Sequence, residues 1–311
     1  MSRIGLFVLA LLGLALPASA AEEVVIDSRI PEGQRVRTEV RTETEQTLTL
    51  AGMPIPSKTT QMMIILSEPA GSAGEGEHKM RSWFDAFQQQ LSVAGIEMQF
   101  DKGNPKDEAP IPQLKPVLEM LRALSDAKWV STQTDNGTVK SLEFEGFPFA
   151  NLPEGARGEM TPERMINQAN QIAKRLPDKP VNVGDSWTRS ETMPLEAGQT
   201  LTFEKEFTFR GPVENSDPVV WKIDLRHKSV DYRMAADSPS PLKISNSELK
   251  VSKTDGEILY DPAAKRVVSI RDVVTVEGKL GANINGMDLP GELKLTLDFN
   301  TKSGMVPAPA Q

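Results

Sequence analysis

From Arg35 to Leu50 the chain alternates without a break. Even positions carry Val36, Thr38, Val40, Thr42, Thr44, Gln46, Leu48 and Leu50, and odd positions carry Arg35, Arg37, Glu39, Arg41, Glu43 and Glu45. Successive side chains of a strand point to opposite faces, so a period of two sustained this long requires one long strand with a packed face and a charged face. The polar turn Gly52-Met53-Pro54-Ile55-Pro56 follows, and a second apolar run, Thr60 to Leu66, closes a hairpin. Strands this far beyond the usual length of about five or six residues stay packed only by twisting and curving. A chain that begins this way is committed to a large antiparallel sheet.

The chain's first residues specify where it works. One basic residue, Arg3, precedes an apolar run from Ile4 to Leu16, a helix-breaking Pro17 and the small residues Ala18-Ser19-Ala20. That is the pattern of a secretory signal peptide over residues 1–20, cut after Ala20, and it implies export to the periplasm or beyond. No later stretch approaches the roughly 20 apolar residues of a spanning helix, so no transmembrane span is expected once the signal is removed. The sequence contains no cysteine. Disulfides, thiol catalysis, thiolate metal sites and a lipid anchor on cysteine are therefore all excluded. A net charge of -8 spread without a basic block argues against nucleic acid as a partner, since phosphate recognition needs clustered Lys and Arg.

A Gly- and Glu-rich loop, Gly71 to Glu77, leads into an ambiguous segment. Met80, Trp83, Phe84, Phe87 and Leu91 fall at helical spacing and favour an amphipathic helix over 80–91. Ile96 to Phe100 alternates, however, and Val93-Ala94-Gly95 fits a hairpin turn, which keeps a strand reading open. Leu114, Val117, Leu118, Leu121 and Leu124 predict a clearer helix near 113–126. Asn136-Gly137 between Lys128–Thr134 and Val139–Glu145 is a hairpin signature, and it accounts for Asn136-Gly137-Thr138 without invoking glycosylation. A connector from Phe147 to Gly158 carries Pro148 and Pro153. Thr161, Pro162 and Glu163 then start a helix whose buried stripe is Met165, Ile166, Ala169, Ile172, Ala173 and Leu176. Pro177 and Pro180 end it.

The second half reads as strands: Leu201 to Phe209, Trp221 to Met234, Leu249 and Val251, Ile258 to Tyr260, Val268 to Val276 and Leu293 to Phe299. In the second of these the apolar parity shifts after Leu225, as a bulge near His227 to Ser229 would produce. The tail from Gly304, with Pro307 and Pro309, is expected to be disordered. Phe100-Asp101 and Tyr260-Asp261 form similar aromatic-Asp corners in the two halves, a hint of duplication that meanders also produce by composition alone.

Candidate chemistry is sparse. Gly184-Asp185-Ser186-Trp187 with Asp224-Leu225-Arg226-His227 offers the residue types of a Ser-His-Asp esterase. Yet Asp224 and His227 sit three apart in an alternating strand and so point to opposite faces, and the pattern lacks the α/β alternation of such hydrolases. The better reading makes Gly184-Asp185 a tight turn and Trp187 a core anchor that starts the next strand. The two histidines, His78 and His227, have no ligand partner at helical or hairpin spacing, and Asp101-Lys102-Gly103-Asn104 lacks the remaining oxygens of a calcium loop. No cofactor is implied. Lys205 and Asp272 each interrupt an apolar strand face, as a polar handle in a ligand cavity would; a bulge or an exposed edge is the alternative.

Leu176, Pro177, Pro180, Val181, Val183, Gly184, Asp185 and Trp187 match a Leu-Pro-x-x-Pro-Val-x-Val-Gly-Asp-x-Trp element. With it the chain resembles a family of exported bacterial proteins, a domain of unknown function. The segment Gly137 to Gly146 and the Tyr260-Asp261 corner are similar too, whereas helical spacing over Trp83 to Leu91 departs from the strand such a family would have. The resemblance implies an exported β-rich fold and brings no catalytic residue.

The expected fold is mainly β with a few helices, α+β in class, with long curved antiparallel strands in two similar halves covered by amphipathic helices. Residues 21–158 would form the first half and 159–303 the second, ahead of a tail at 304–311. Pro177, Pro180, Gly184, Asp185 and Trp187 are expected to form the structural joint between them. The expected protein is a non-catalytic envelope component that holds an apolar or amphipathic small molecule such as a lipid. An envelope protein partner is the second reading and a secreted hydrolase the third.

Overall fold

The computed structural model describes residues 23–26, 34–104, 106–147, 161–194, 199–235, 242–284 and 286–307. The signal peptide, Pro148 and Pro153 of the connector and residues 308–311 of the tail lie outside the described residues. In chain order come β1 (Arg35–Leu50), β2 (Met53–Gly74), β3 (Glu77–Val93), β4 (Ile96–Asp101), α1 (Lys115–Asp126), β5 (Lys128–Thr134) and β6 (Val139–Glu145). Then follow α2 (Pro162–Ala173), β7 (Ser186–Pro194), β8 (Gln199–Pro212), β9 (Trp221–Met234), β10 (Leu242–Asp261), β11 (Arg266–Ile284) and β12 (Met287–Val306).

The strands make one antiparallel sheet in the order β6-β5-β3-β2-β1-β12-β11-β10-β9-β8-β7, with β4 paired to the C-terminal part of β3. β1 pairs along its whole length with β12, so the strands of both halves of the sequence belong to a single sheet. The β1–β2 turn is tighter than the sequence suggested. Ala51 and Gly52 both hold left-handed conformations, φ 49° and 81°, as a two-residue hairpin requires. Pro54 and Pro56 are consequently already in β2, opposite Thr49 and Thr47. Their missing N–H groups are tolerated because β3 pairs with β2 only from Ser57 onward. The Gly71 to Glu77 loop likewise shrinks to a short turn at Glu75-Gly76.

The helix expected over 80–91 is instead strand β3. Met80, Ser82 and Phe84 point inward with period two, Asp85 is skipped by the register with β2, and the inward set resumes at Phe87. The bulge thus inserts a spacing of three into an alternating strand, and that single irregularity imitates helical periodicity. A second bulge, at Lys228 where Glu204 faces Ser229 and Lys205 faces His227, lies within the segment where the parity shift placed it. The tail also differs from expectation. Gly304, Met305 and Val306 are paired with Arg37, Val36 and Arg35, because β1 offers a partner as far as its first residue.

α1 buries Leu118 and Leu121 against Phe84, Phe87, Met98 and Phe100, capping the inner face of β3 and β4. α2 starts as expected, with Thr161 Oγ1 accepting from Arg164 N. Its apolar stripe, however, is not a core stripe. No α2 residue is fully buried and Ile172 is 37% exposed; of the predicted set Leu176, just past the helix, is buried. The helix is held by amides instead. Asn170 Oδ1 accepts from Val139 N at 2.8 Å and Asn170 Nδ2 donates to Val139 O at 2.9 Å, the two bonds a neighbouring strand would make. Gln171 Oε1 accepts from Thr192 N at 2.7 Å.

Val139 belongs to β6 and Thr192 to β7, the two ends of the strand order. A flat sheet would separate them by ten strand spacings of about 4.8 Å, or roughly 48 Å. Consecutive residues of a helix, with Cα atoms about 3.8 Å apart, cannot reach both ends of such a sheet. The sheet is therefore rolled until its edges meet α2, which closes the seam and satisfies backbone groups that an open edge would leave exposed.

Candidate functional site

The inner face of the rolled sheet carries a layer of charge between two apolar layers. Along β8 the buried inward residues are Leu201, Phe203, Lys205, Phe207 and Phe209. Along β11 they include Ile270, Asp272, Val274 and Val276, and along β9 Ile223, Leu225 and His227. Lys205, His227 and Asp272 thus occupy one level. Glu191 of β7 joins them, as does Arg175, two residues past the end of α2, and all five are buried. One apolar layer packs Phe207, Phe209, Ile223, Leu225 and Tyr260, and the other packs Leu201, Phe203, Val274, Val276 and Leu295.

The charges meet across the rolled sheet. Lys205 Nζ donates to Asp272 Oδ2 at 2.7 Å and lies 2.8 Å from Glu191 Oε2. Arg175 donates through Nε to Glu191 Oε1 at 2.7 Å and through Nη2 to Oε2 at 2.8 Å, a bidentate pair, and Nη2 lies 3.3 Å from Asp272 Oδ2. His227 Nε2 is 2.6 Å from Asp272 Oδ1. Burial alone would push the Asp272 carboxyl up. The His227 hydrogen bond and the charges of Lys205 and Arg175 outweigh it and hold the group well below the usual carboxylate range. Glu191 is lowered in the same way, burial opposing and Arg175 and Lys205 prevailing. Two buried atoms of the layer, Arg175 Nη1 and His227 Nδ1, have no hydrogen-bond partner among the described residues.

Of the residues expected to form a mid-chain joint, Trp187 holds Arg175. Trp187 is half-buried, stacks on Phe207 with 5.9 Å between centroids, and donates from Nε1 to Arg175 O at 2.9 Å. Gly184 adopts φ 98° and donates its N–H to Phe209 O. Asp185 Oδ2 accepts from Asn182 N, which closes the turn, and Asp185 O accepts from Phe209 N, which pins it to β8. Pro177 is half-buried and Pro180 exposed, on the segment that Arg189 ties down through Lys174 O and Leu176 O.

Beside the charged layer, the middle of the inner face is an uncharged trough three strands wide, flanked by Met63 and Ile65, which pack against the cluster under α1, and by Phe299, which packs against the layer of Phe207 and Phe209. Thr42 lies between Phe299 of β12 and Gln61 of β2, Val40 between Thr301 and Met63, and Thr38 between Ser303 and Ile65. Cross-strand neighbours share a face. All of these residues are half-buried. From Val36 to Leu48 on β1, and at every paired position on β2 and β12, this face carries no ionisable side chain. The opposite face of the same strands carries Arg37, Glu39, Arg41, Glu43, Lys58 and Lys302. Apolar side chains interleaved with hydroxyls and amides, without charge, suit contact with an uncharged amphipathic molecule. Phe299 belongs to both regions: it lies on the trough floor, and its ring is 5.9 Å from the Arg175 guanidinium.

The esterase combination is not assembled. Ser186 Oγ is 2.8 Å from Thr208 Oγ1, and Asp224 accepts from Arg210 Nε at 2.6 Å on the outer face, whereas His227 points inward to Asp272. His78, on β3, lies 2.5 Å from Asp135 Oδ1. Asp101 Oδ1 accepts from Gly103 N, a turn-closing bond that Asp261 repeats with Ala263 N and Ala264 N. Lys205 and Asp272, singled out as polar intrusions, meet each other directly. Glu191 lies on the parity of Trp187 and Met193, but Arg189 shares that parity, so β7 offers no unbroken apolar face for Glu191 to interrupt. Arg175 lies outside any strand, so no periodicity marks it.

No protein-family model and no curated protein matches the chain. Remote likenesses exist among solved structures. A structure of lipovitellin concerned with lipid–protein interactions has 8% identity over 90% of this chain and a TM-score of 0.39, and this chain spans 26% of its length. The translocator domain of the autotransporter NalP from Neisseria meningitidis has 9% identity, covering 88% of this chain and 89% of its own, with a TM-score of 0.22. An outer membrane channel of Pseudomonas putida F1 has 6% identity, covering 90% and 98% respectively, with a TM-score of 0.18. At these scores the likenesses carry no functional weight.

Proposed function

We propose that the protein is an exported, non-catalytic component of the cell envelope that holds an uncharged amphipathic molecule carrying an acyl chain along the inner face of its rolled sheet. The observation that carries this reading is the trough on β12, β1 and β2, half-buried and free of ionisable groups, in strands whose other face is densely charged. A face meant only for solvent has no need to exclude charge, and among the described residues Val40 at the centre of the trough packs into none of the buried clusters that flank it. The leader-like start of the sequence supports export. The chemistry of the buried layer supports a non-catalytic role, since its carboxylates and cations are spent on one another.

Delipidated protein should take up a fluorescent acyl-chain probe. Val40→Lys, which places a charge on the trough floor, should weaken uptake by at least an order of magnitude, and Glu39→Lys, on the opposite face, should leave it unchanged. Absence of uptake by the unaltered protein, or equal effects of the two substitutions, would overturn the reading.

A further inference from the structure

The trough ends against the charged layer at Phe299, and the guanidinium above that ring has one buried nitrogen without a hydrogen-bond partner among the described residues. We infer that Arg175 Nη1 is the polar anchor of the bound amphiphile, and that it donates to a neutral acceptor oxygen, the carbonyl of an acyl ester. The inference rests on the trough being the ligand site, and it adds the headgroup class.

Three observations combine. A buried guanidinium nitrogen left unpaired is costly, so an acceptor that arrives with a ligand gains the full difference. Arg175 is well fixed for the purpose. Its Nε and Nη2 are held by Glu191, and Trp187 fixes its backbone carbonyl, so Nη1 has little freedom to turn elsewhere. The charge count selects the acceptor. Arg175 and Lys205 are already balanced by Glu191 and Asp272, two cations against two anions, at contacts of 2.7–3.3 Å. An anionic headgroup would bring a third negative charge among them, whereas an ester carbonyl accepts one hydrogen bond and leaves the balance intact. The uncharged trough floor, on which the remainder of the molecule would lie, points the same way. The guanidinium lies over the Phe299 ring at the end of the trough, and a headgroup that reaches Nη1 from the trough displaces that ring.

A matched set of probes tests this on the whole mature protein: decylpyrene, pyrenedecanoic acid and the methyl ester of that acid, with Kd read from pyrene fluorescence. The ester should bind about tenfold tighter than the hydrocarbon, the ratio expected of one hydrogen bond to a charged donor. The acid, ionised at neutral pH, should bind no tighter than the hydrocarbon. Arg175→Lys keeps the positive charge beside Glu191 and removes the forked donor, so it should bring the ester-to-hydrocarbon ratio close to one. The ranking of the three probes on the unaltered protein stands even if that variant does not fold. Equal binding of ester and hydrocarbon would overturn the anchor and leave the trough intact. Tightest binding of the acid would overturn the neutral headgroup. Failure of all three to bind would remove the trough reading, and the anchor with it.

Discussion

Replacing Asp272 by asparagine should be among the most destabilising conservative changes available to this protein. Asp272 receives Lys205 Nζ at 2.7 Å and His227 Nε2 at 2.6 Å and lies 3.3 Å from Arg175 Nη2, while only 6% exposed. Asparagine keeps the shape but turns an amide donor toward groups that are donors themselves. Two buried cations, Arg175 and Lys205, would then face Glu191 alone. Breaking a buried charge network in this way costs about 3–5 kcal/mol. At about 2–4 °C per kcal/mol for a chain of this size class, Tm should fall by roughly 6–20 °C. Urea unfolding followed by the fluorescence of the four tryptophans reads the loss directly.

The pH dependence follows from the sign of the shift. The Asp272 pKa is depressed in the folded state, so its contribution is fully present above the unfolded value of about 3.9 and is lost as pH falls below it toward the folded value. Below pH 4 the stability of the unaltered protein should therefore fall more steeply than that of Asp272→Asn. The triple variant Lys205→Met, His227→Leu, Asp272→Leu supplies the control, because it makes the two apolar layers continuous and leaves the Arg175–Glu191 pair intact. It should lie within about 2 kcal/mol of the unaltered protein. A loss under about 1 kcal/mol for Asp272→Asn, or a triple variant less stable than the single one, would refute the view that uncompensated buried charge is what matters here.

Trp187→Ala should cost about 2–4 kcal/mol, slightly less than a fully buried tryptophan because the ring is half-exposed, and a urea-midpoint shift equivalent to less than about 1 kcal/mol would show that it anchors nothing. Asn170→Ala should cost about 1–2 kcal/mol for its two bonds and raise hydrogen exchange at the Val139 amide at least tenfold; unchanged exchange would mean that α2 does not hold the seam. Ala51→Gly should stabilise by roughly 0.5–1 kcal/mol, since φ 49° favours glycine, and a lowered unfolding midpoint would contradict the turn geometry.

The strands and most turns were legible in the sequence because they follow from local rules. Alternation in β1, the Asn136-Gly137 hairpin, the Thr161 cap and the parity shift before Ser229 are each decided by neighbours a few residues away. Even the mistaken helix over 80–91 was a local misreading, caused by one bulge residue, Asp85. Lys205 and Asp272 could be flagged individually for the same reason, as charges on apolar faces. What the sequence could not show was that they touch. Their strands are separated in the sheet by β9 and β10, and only the roll of the sheet brings them within 2.7 Å. The roll in turn depends on α2 meeting both edges through Asn170 and Gln171, contacts whose partners lie 31 and 21 residues away. Local periodicity determined the faces of each strand. Closure of the sheet, a property of the whole chain, decided which faces meet, and so placed a neutral ion layer beside an uncharged trough.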